Sequence, residues 1–372
     1  MLNPGCYRPP GSTSITEQVG YGGQVAASGP ALPGASSLTA AVQAALTGAS
    51  TGNLGASVQR LIAAYRASEV PPAPVITSRI DAAAYAAYRM PATAAATTAA
   101  LREIRLSLPG WAPSSLIDFG AGTGGSAWAV ASDLPSIEAI TLLEQSPDAI
   151  RLGRAIFAQA QSGVLRSATW RSWRLADTDD GTAGAAETGL PAADLATVCY
   201  VLGELTPAQQ AALTMLAAGA APAVVLVEPG TPAGHRRILA ARARLLSSGY
   251  RVAAPCPHEL HCPLDVDGDW CHFGARLQRS AMHRQAKGAE LAYEDEKFSY
   301  VAAIRPQVSH PGAGLPDRPA GRVVRRPQQR KGLVLLDLCR ADGTSSRELV
   351  SKSKGESYRQ ARKTAWGDRW GS

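Results

Sequence analysis

The stretch SSLIDFGAGTGGSAWAVASDL, residues 114–134, constrains the fold more than any other part of the chain. A short apolar run ends in Asp118 and Phe119, a glycine turn follows, and a run of small apolar residues begins at once. In order, that is a strand, a tight turn and a helix. Glycines at 120, 122 and 124 let the backbone reverse sharply and come close to a ligand. The alternation continues downstream. EAITLLEQS predicts a strand ending in Glu144, SPDAIRLGRAIFAQA a helix, TWRSWRLAD a strand ending in Asp177, and ADLATVCYVLGEL a strand running into a turn. TPAQQAALTMLAAG predicts a helix capped by Thr206, AVVLVEPG a strand, and AGHRRILAARARLLSSG a helix closed by Gly249. EDEKFSYVAAIRP reads as a strand returning to the sheet. This pattern defines a doubly wound α/β sheet, with its ligand crevice at the carboxyl ends of the strands.

The crevice has candidate ligand residues. Asp118, Gly120, Gly122 and Gly124 form D-x-G-x-G-x-G, and Glu144 can accept hydrogen bonds from both hydroxyls of a ribose. Asp177, at the end of the third strand, is placed to meet an adenine edge. The dinucleotide fingerprint G-x-G-x-x-G is a different spacing. The form present here resembles the class I S-adenosylmethionine methyltransferases, which implies S-adenosylmethionine at these residues. YVLGEL occupies the place where many such enzymes position substrate, but it lacks the N/D-P-P-Y motif of base-amino methyltransferases. Cys199, inside the apolar strand, reads as core rather than nucleophile.

Around this domain the composition shifts. Residues 1–36, rich in Gly, Pro and Ser, read as a disordered tail. Residues 37–112 read as a helical N-terminal unit broken at Pro71–Pro74 and at Pro91. The sheet domain then spans 113–310, Gly312 to Gly321 is a Pro/Gly linker, and 322–372 is a basic β unit with an aromatic tail. Residues 318–372 hold fourteen Lys/Arg against five Asp/Glu, while the chain as a whole carries +7. Basicity confined to one segment is the electrostatic footprint of nucleic-acid binding. Arg325, Arg326, Arg330, Lys331, Arg359, Arg362 and Lys363 are the expected phosphate contacts, and Trp366 or Trp370 the expected base-stacking residues. No run of eighteen apolar residues occurs, and no leader is legible, so the reading is a cytoplasmic protein with no membrane partner and with reduced cysteines.

Residues 255–273, PCPHELHCPLDVDGDWCHF, concentrate three of the six cysteines and three of the six histidines. Cys256, Cys262 and Cys271 are spaced C-x5-C-x8-C. His258 and His261 in HELH are three apart, which excludes the zincin pattern. Cys339, in LLDLCRADG, is available as a fourth thiolate. Four thiolates suit zinc or an iron–sulfur cluster, and spacing alone leaves both open beside unligated cysteines.

VEPGTPAGHRRILAARARLL, APCPHELHCPL, DWCHFGARLQR, EDEKFSYVA and YRQARKTAWGD together resemble the small-ribosomal-subunit Rsm twenty-two family, over residues 80 to 370. The resemblance implies a class I methyltransferase fold and association with a small-subunit precursor and its rRNA. It also implies a [4Fe–4S] cluster on Cys256, Cys262, Cys271 and Cys339. Composition and the absent leader point to a bacterial member, monomeric off the ribosome. Two enzyme readings stand beside an assembly factor: an rRNA methyltransferase, and a small-molecule methyltransferase with structural zinc. A sensor that links assembly to iron supply is a further reading, resting on the cluster alone.

Overall fold

The computed structural model describes residues 35–47, 54–66, 74–175, 189–265, 268–281, 283–284, 290–306 and 316–371. Asp177, most of the expected tail and part of the Pro/Gly linker lie outside the described residues. Helices α1 (Ala35–Ala45) and α2 (Leu54–Arg66) lead into the long α3 (Arg79–Ser107). Ser78 caps α3, its hydroxyl accepting from the Asp81 N–H at 3.2 Å. The expected break at Pro91 does not occur: α3 runs through it. A proline in a helix interior costs about 3 kcal/mol. Here it is offset by burial on almost every side, from Ala82 through Met90 and Leu101 to Ile104.

The βα alternation follows as the sequence implies. Strands β1 (Ser115–Phe119), β2 (Ala139–Glu144), β3 (Thr169–Ser172), β4 (Leu195–Cys199) and β5 (Ala223–Pro229) are parallel. Between them run α4 (Gly125–Asp133), α5 (Pro147–Ala158), α6 (Gly163–Arg166) and α7 (Pro207–Ala220), with α8 (Pro232–Ser247) after β5. Thr206 caps α7 in a reciprocal box: its hydroxyl accepts from Gln209 N–H, and the Gln209 side chain accepts from Thr206 N–H. Strands β6 (Arg251–Ala254), β7 (Phe273–Gln278) and β8 (Tyr293–Ile304) complete a sheet ordered β3-β2-β1-β4-β5-β8-β6, with β7 also on β8.

Strand β8 is antiparallel to its neighbours. Ala254 pairs with Ala302 and Phe273 with Phe298, so β6 and β7 lie in line along one edge of β8. The cysteine-rich residues 255–272 are therefore an excursion from a single edge. The expected separate helical unit is instead a layer of this domain: α3 residues share a core with Leu116, Leu142 and Tyr300.

A second, wholly antiparallel sheet follows, ordered β10-β11-β9-β13 with β12 on β11. Its strands are β9 (Gly321–Val323), β10 (Gln328–Arg330), β11 (Leu333–Arg340), β12 (Ser345–Ser351) and β13 (Arg369–Trp370). The β11–β12 turn falls at ADGTS, with Gly343 at φ 84° and the Asp342 carboxylate accepting from Thr344 N–H. Helix α9 (Glu356–Lys363) buries only Ala361 against this sheet.

Arg322 on β9 joins the parts. Its side chain is 2% exposed, ion-paired with Glu103 of α3. It also donates to the carbonyls of Pro255 (2.8 Å) and Gly367 (2.8 Å). Losing one partner of a buried pair strands the other, at about 3–5 kcal/mol. Arg322→Met is accordingly expected to lower the free energy of urea unfolding by about that amount, while the exposed Leu349→Ala stays within about 0.5 kcal/mol of the parent.

Candidate functional site

Two cavities lie at the places the sequence marks. The first sits over the β1–α4 turn. Gly120, Gly122 and Gly124 have φ of 65°, 56° and 91°, left-handed values that favour glycine. The missing side chains are also used for packing. A Cβ on Gly120 would come within 2.5 Å of Val201, and one on Gly122 within 2.9 Å of the Tyr85 ring. Beyond the turn is a cavity of about 260 Å³, lined by Gly120, Gly122, Glu144, Trp173, Tyr200 and Glu204, among others.

The expected ligand residues divide. Glu144, at the end of β2, faces the cavity. Its carboxylate accepts from Gly122 N–H at 2.8 Å and from Ser146 N–H at 2.7 Å. Burial raises its pKa, against the lowering effect of backbone donors at 146, 122 and 145. Two backbone donors thus occupy acceptor positions of a carboxylate that offers about four. Asp118 and Gly124 do not line the cavity. Gly124 backs onto Phe157. Asp118 lies beneath the turn, 1% exposed, where it accepts from the Thr197 hydroxyl at 2.6 Å. Burial pushes its carboxyl up to about 7, despite that hydrogen bond.

Sequence reasoning missed the cluster at the end of β4. Tyr200 has φ 62°, a left-handed value rare for a non-glycine residue. Its hydroxyl donates to Glu296 of β8 at 3.0 Å, and Arg89 of α3 donates to the same oxygen at 2.9 Å. The guanidinium also lies 3.8 Å over the tyrosine ring. YVLGEL marked the position, but its partners come from both ends of the domain. Cys199 is core as expected, 5% exposed, with its thiol pushed up to about 12 by burial.

The second cavity gathers all four candidate cysteines. Cys256, Cys262, Cys271 and Cys339 line it, with His258 and Arg242. Three come from the excursion off β8 and the fourth from β11. Burial raises the thiols of Cys262 to about 11 and of Cys339 to about 12, with neighbouring sulfurs adding to both. Burial holds Cys271 well above the ordinary thiol value, again with the other three sulfurs contributing. The His258 ring lies 3.3 Å from Cys339 Sγ. The donor set fits a soft, thiolate-bound group, because no carboxylate among the described residues lines the cavity. Among the described residues, no three His, Cys, Asp or Glu side chains are arranged to hold a single metal ion. His261 points away, exposed, 3.5 Å from Asp265. His272 is a packing residue, stacked on Trp270 and edge-on to Trp366.

The basic residues are distributed over the second sheet and α9. Arg326, Arg330, Lys331, Arg362 and Lys363 are exposed, and the Gln329 side chain donates to the Arg362 carbonyl at 3.0 Å, drawing the end of α9 to β10. Arg359 is exposed but paired with Glu356. Arg325 turns toward the cysteine segment and pairs with Asp269. The expected stacking role of Trp370 is corrected: it is 6% exposed, and its indole N–H donates to Glu348 at 3.0 Å. Trp366 is half-buried against His272. Trp370 belongs to the core of the second sheet, while Trp366 packs against the core of the first.

The order β3-β2-β1-β4-β5-β8-β6 with one antiparallel strand, and a glycine turn after β1, define a class I methyltransferase-like protein. The model of the family described as mitochondrial small ribosomal subunit Rsm22 matches residues 79–371. The chain belongs to that family. It is 27% identical to the human mitochondrial ribosome assembly protein METTL17, over 76% of this chain and 61% of that protein. It is 30% identical to the mitochondrial Rsm22-cox11 tandem protein 2 of Schizosaccharomyces pombe, over 39% of this chain. The chain spans 24% of that tandem protein's length. Among solved structures, precorrin-6y C5,15-methyltransferase from Geobacter metallireducens matches with TM-score 0.35 and 14% identity, over 56% of this chain and 86% of that one. Magnesium protoporphyrin IX methyltransferase from Synechocystis matches with TM-score 0.34 and 12% identity, over 66% and 90%. The fold assignment rests on the sheet order rather than on these distant likenesses.

The raised Asp118 carboxyl generates a test. A carboxyl whose folded pKa lies above its unfolded value binds its proton more tightly in the folded state. Stability from this group is therefore full below about pH 4 and is lost as pH rises to about 7. Asp118→Asn is expected to flatten the fall in unfolding free energy between those pH values by a few kcal/mol, read from urea unfolding of both proteins across that range.

Proposed function

We propose that this chain is an assembly factor of the small ribosomal subunit that carries a four-cysteine iron–sulfur cluster as a clamp. The cluster joins the methyltransferase-like sheet to the basic C-terminal unit, and that unit binds rRNA. The observation that carries the proposal is one cavity lined by four cysteines from two segments far apart in sequence. Cys256, Cys262, Cys271 and Cys339 would each supply a thiolate. Bound there, the cluster would supply strong bonds that close the chain between residues 271 and 339, and so order the basic unit. Family membership supports the ribosomal context, as does the name of the human relative.

The exposed Arg326, Arg330, Lys331, Arg362 and Lys363 are the phosphate contacts in this reading, with Arg359 beside them. Arg325 anchors the unit to the cysteine segment. S-adenosylmethionine is the proposed ligand of the first cavity, where Gly120, Gly122 and Glu144 would meet its ribose and turn. The proposed setting is the bacterial cytoplasm.

Two measurements test this. Protein purified without oxygen should contain about four iron and four sulfide per chain, and Cys339→Ser should lose most of both. About one zinc without sulfide would overturn the cluster. Neutralising Arg330, Lys331, Arg362 and Lys363 together should weaken binding to small-subunit rRNA and lower its salt slope by about one per lost phosphate contact. An unchanged slope would remove the RNA role from this face.

A further inference from the structure

Two arginines wall the cysteine cavity, and they differ in one respect. Arg322 has the Glu103 carboxylate as its counter-ion. Arg242, on α8, is 6% exposed and has no ion pair with any described Asp or Glu. Its Nη2 donates to two carbonyls of the cysteine segment, His258 at 2.9 Å and Leu260 at 3.1 Å. Its buried Nε has no hydrogen-bond partner among the described residues. A guanidinium keeps its charge in any protein environment. A buried charge facing only carbonyl dipoles is costly, and such groups are normally paired or matched to a metal centre. No described Asp or Glu lines the cavity beside Arg242, so a metal group held by its cysteines would be the negative partner.

We propose that Arg242 is the buried counter-charge of an anionic, thiolate-ligated metal group in this cavity. The proposal rests on the cluster reading above and adds a residue to it. Four thiolates outweigh the positive charge of the metal group they hold, so the bound site is anionic and the arginine offsets it. Adding an electron makes the group more negative, so the same cation favours the reduced form. Arg242 is a positioning residue as well, because its two carbonyl contacts hold the backbone between Cys256 and Cys262. Charge and positioning are separable by substitution.

The experiment uses the full chain purified without oxygen, as wild type, Arg242→Gln and Arg242→Lys. Glutamine keeps a donor for the carbonyls and removes the charge, and lysine keeps the charge and loses the fork. Arg242→Met serves as a second uncharged variant should glutamine fail to fold. Metal and sulfide per chain are followed during chelator challenge, and the reduced-to-oxidised ratio is read by absorbance during dithionite titration. The uncharged variants should lose metal about tenfold faster. Their reduced-to-oxidised ratio at fixed potential should fall about tenfold, which is about 59 mV for a one-electron couple. Lysine should recover most of both. An uncharged variant equal to wild type, or lysine as impaired as glutamine, overturns the inference and leaves Arg242 a structural hydrogen-bond donor. Wild-type protein without metal overturns the cluster reading first, and this inference with it. If the metal is zinc, the cluster reading fails while the retention order alone decides the role of Arg242.

Discussion

Arg322 holds together three pieces that the chain delivers separately. Its guanidinium is buried where α3, the base of the cysteine excursion and the second sheet meet. Glu103, Pro255 and Gly367 each take one of its donors. Removing one partner from a charge buried this deeply costs about 3–5 kcal/mol, so the contact favours the three pieces packing together. The arrangement specifies which face of the second sheet turns inward. That choice brings Cys339 of β11 to the same cavity as the three cysteines of the excursion.

The excursion depends on a simple device in the first sheet. Strand β8 is long enough to take two partners on one edge, β6 and then β7. The chain can therefore leave the sheet after Ala254 and return at Phe273 without costing the sheet a strand. The Glu259 side chain anchors the loop: its carboxylate accepts from Val252 N–H and from Arg251, and Arg318 pairs with it. The loop is thus tied to both sheets. A thiolate-bound group at its centre would add to a frame already set by Arg322, Arg242 and Glu259.

The methyltransferase-like half shows a different economy. Its glycine turn has the left-handed geometry of a ligand loop, yet neighbouring side chains already occupy the space beside each glycine. Glu144 ties the turn to the start of α5 through two backbone donors before any ligand arrives. At the end of β4, Tyr200, Arg89 and Glu296 form a polar cluster. Tyr85 of α3 and Tyr200, which donates to Glu296 of β8, both line the first cavity.

Much of this was legible in the residues themselves. Apolar runs located β1, β2, β4 and β5, because burial on both faces of a parallel sheet leaves a near-continuous apolar run. The cap at Thr206 and the stop at Gly249 were readable because capping depends on local geometry. Pro91 misled for the complementary reason: its local cost is real, but tertiary burial of α3 exceeds it. Trp370 misled because an aromatic in a basic tail carries no sign of which sheet it will cover. The sequence by itself determined the alternating architecture, the glycine turn and the four scarce thiols. Only the tertiary structure decided that the helical segment is a layer of the sheet domain, that Tyr200 is bound into an ion cluster, and that Cys339 meets the other three. Those outcomes depend on contacts between residues tens to hundreds of positions apart, and no local pattern encodes which buried charge will find which partner.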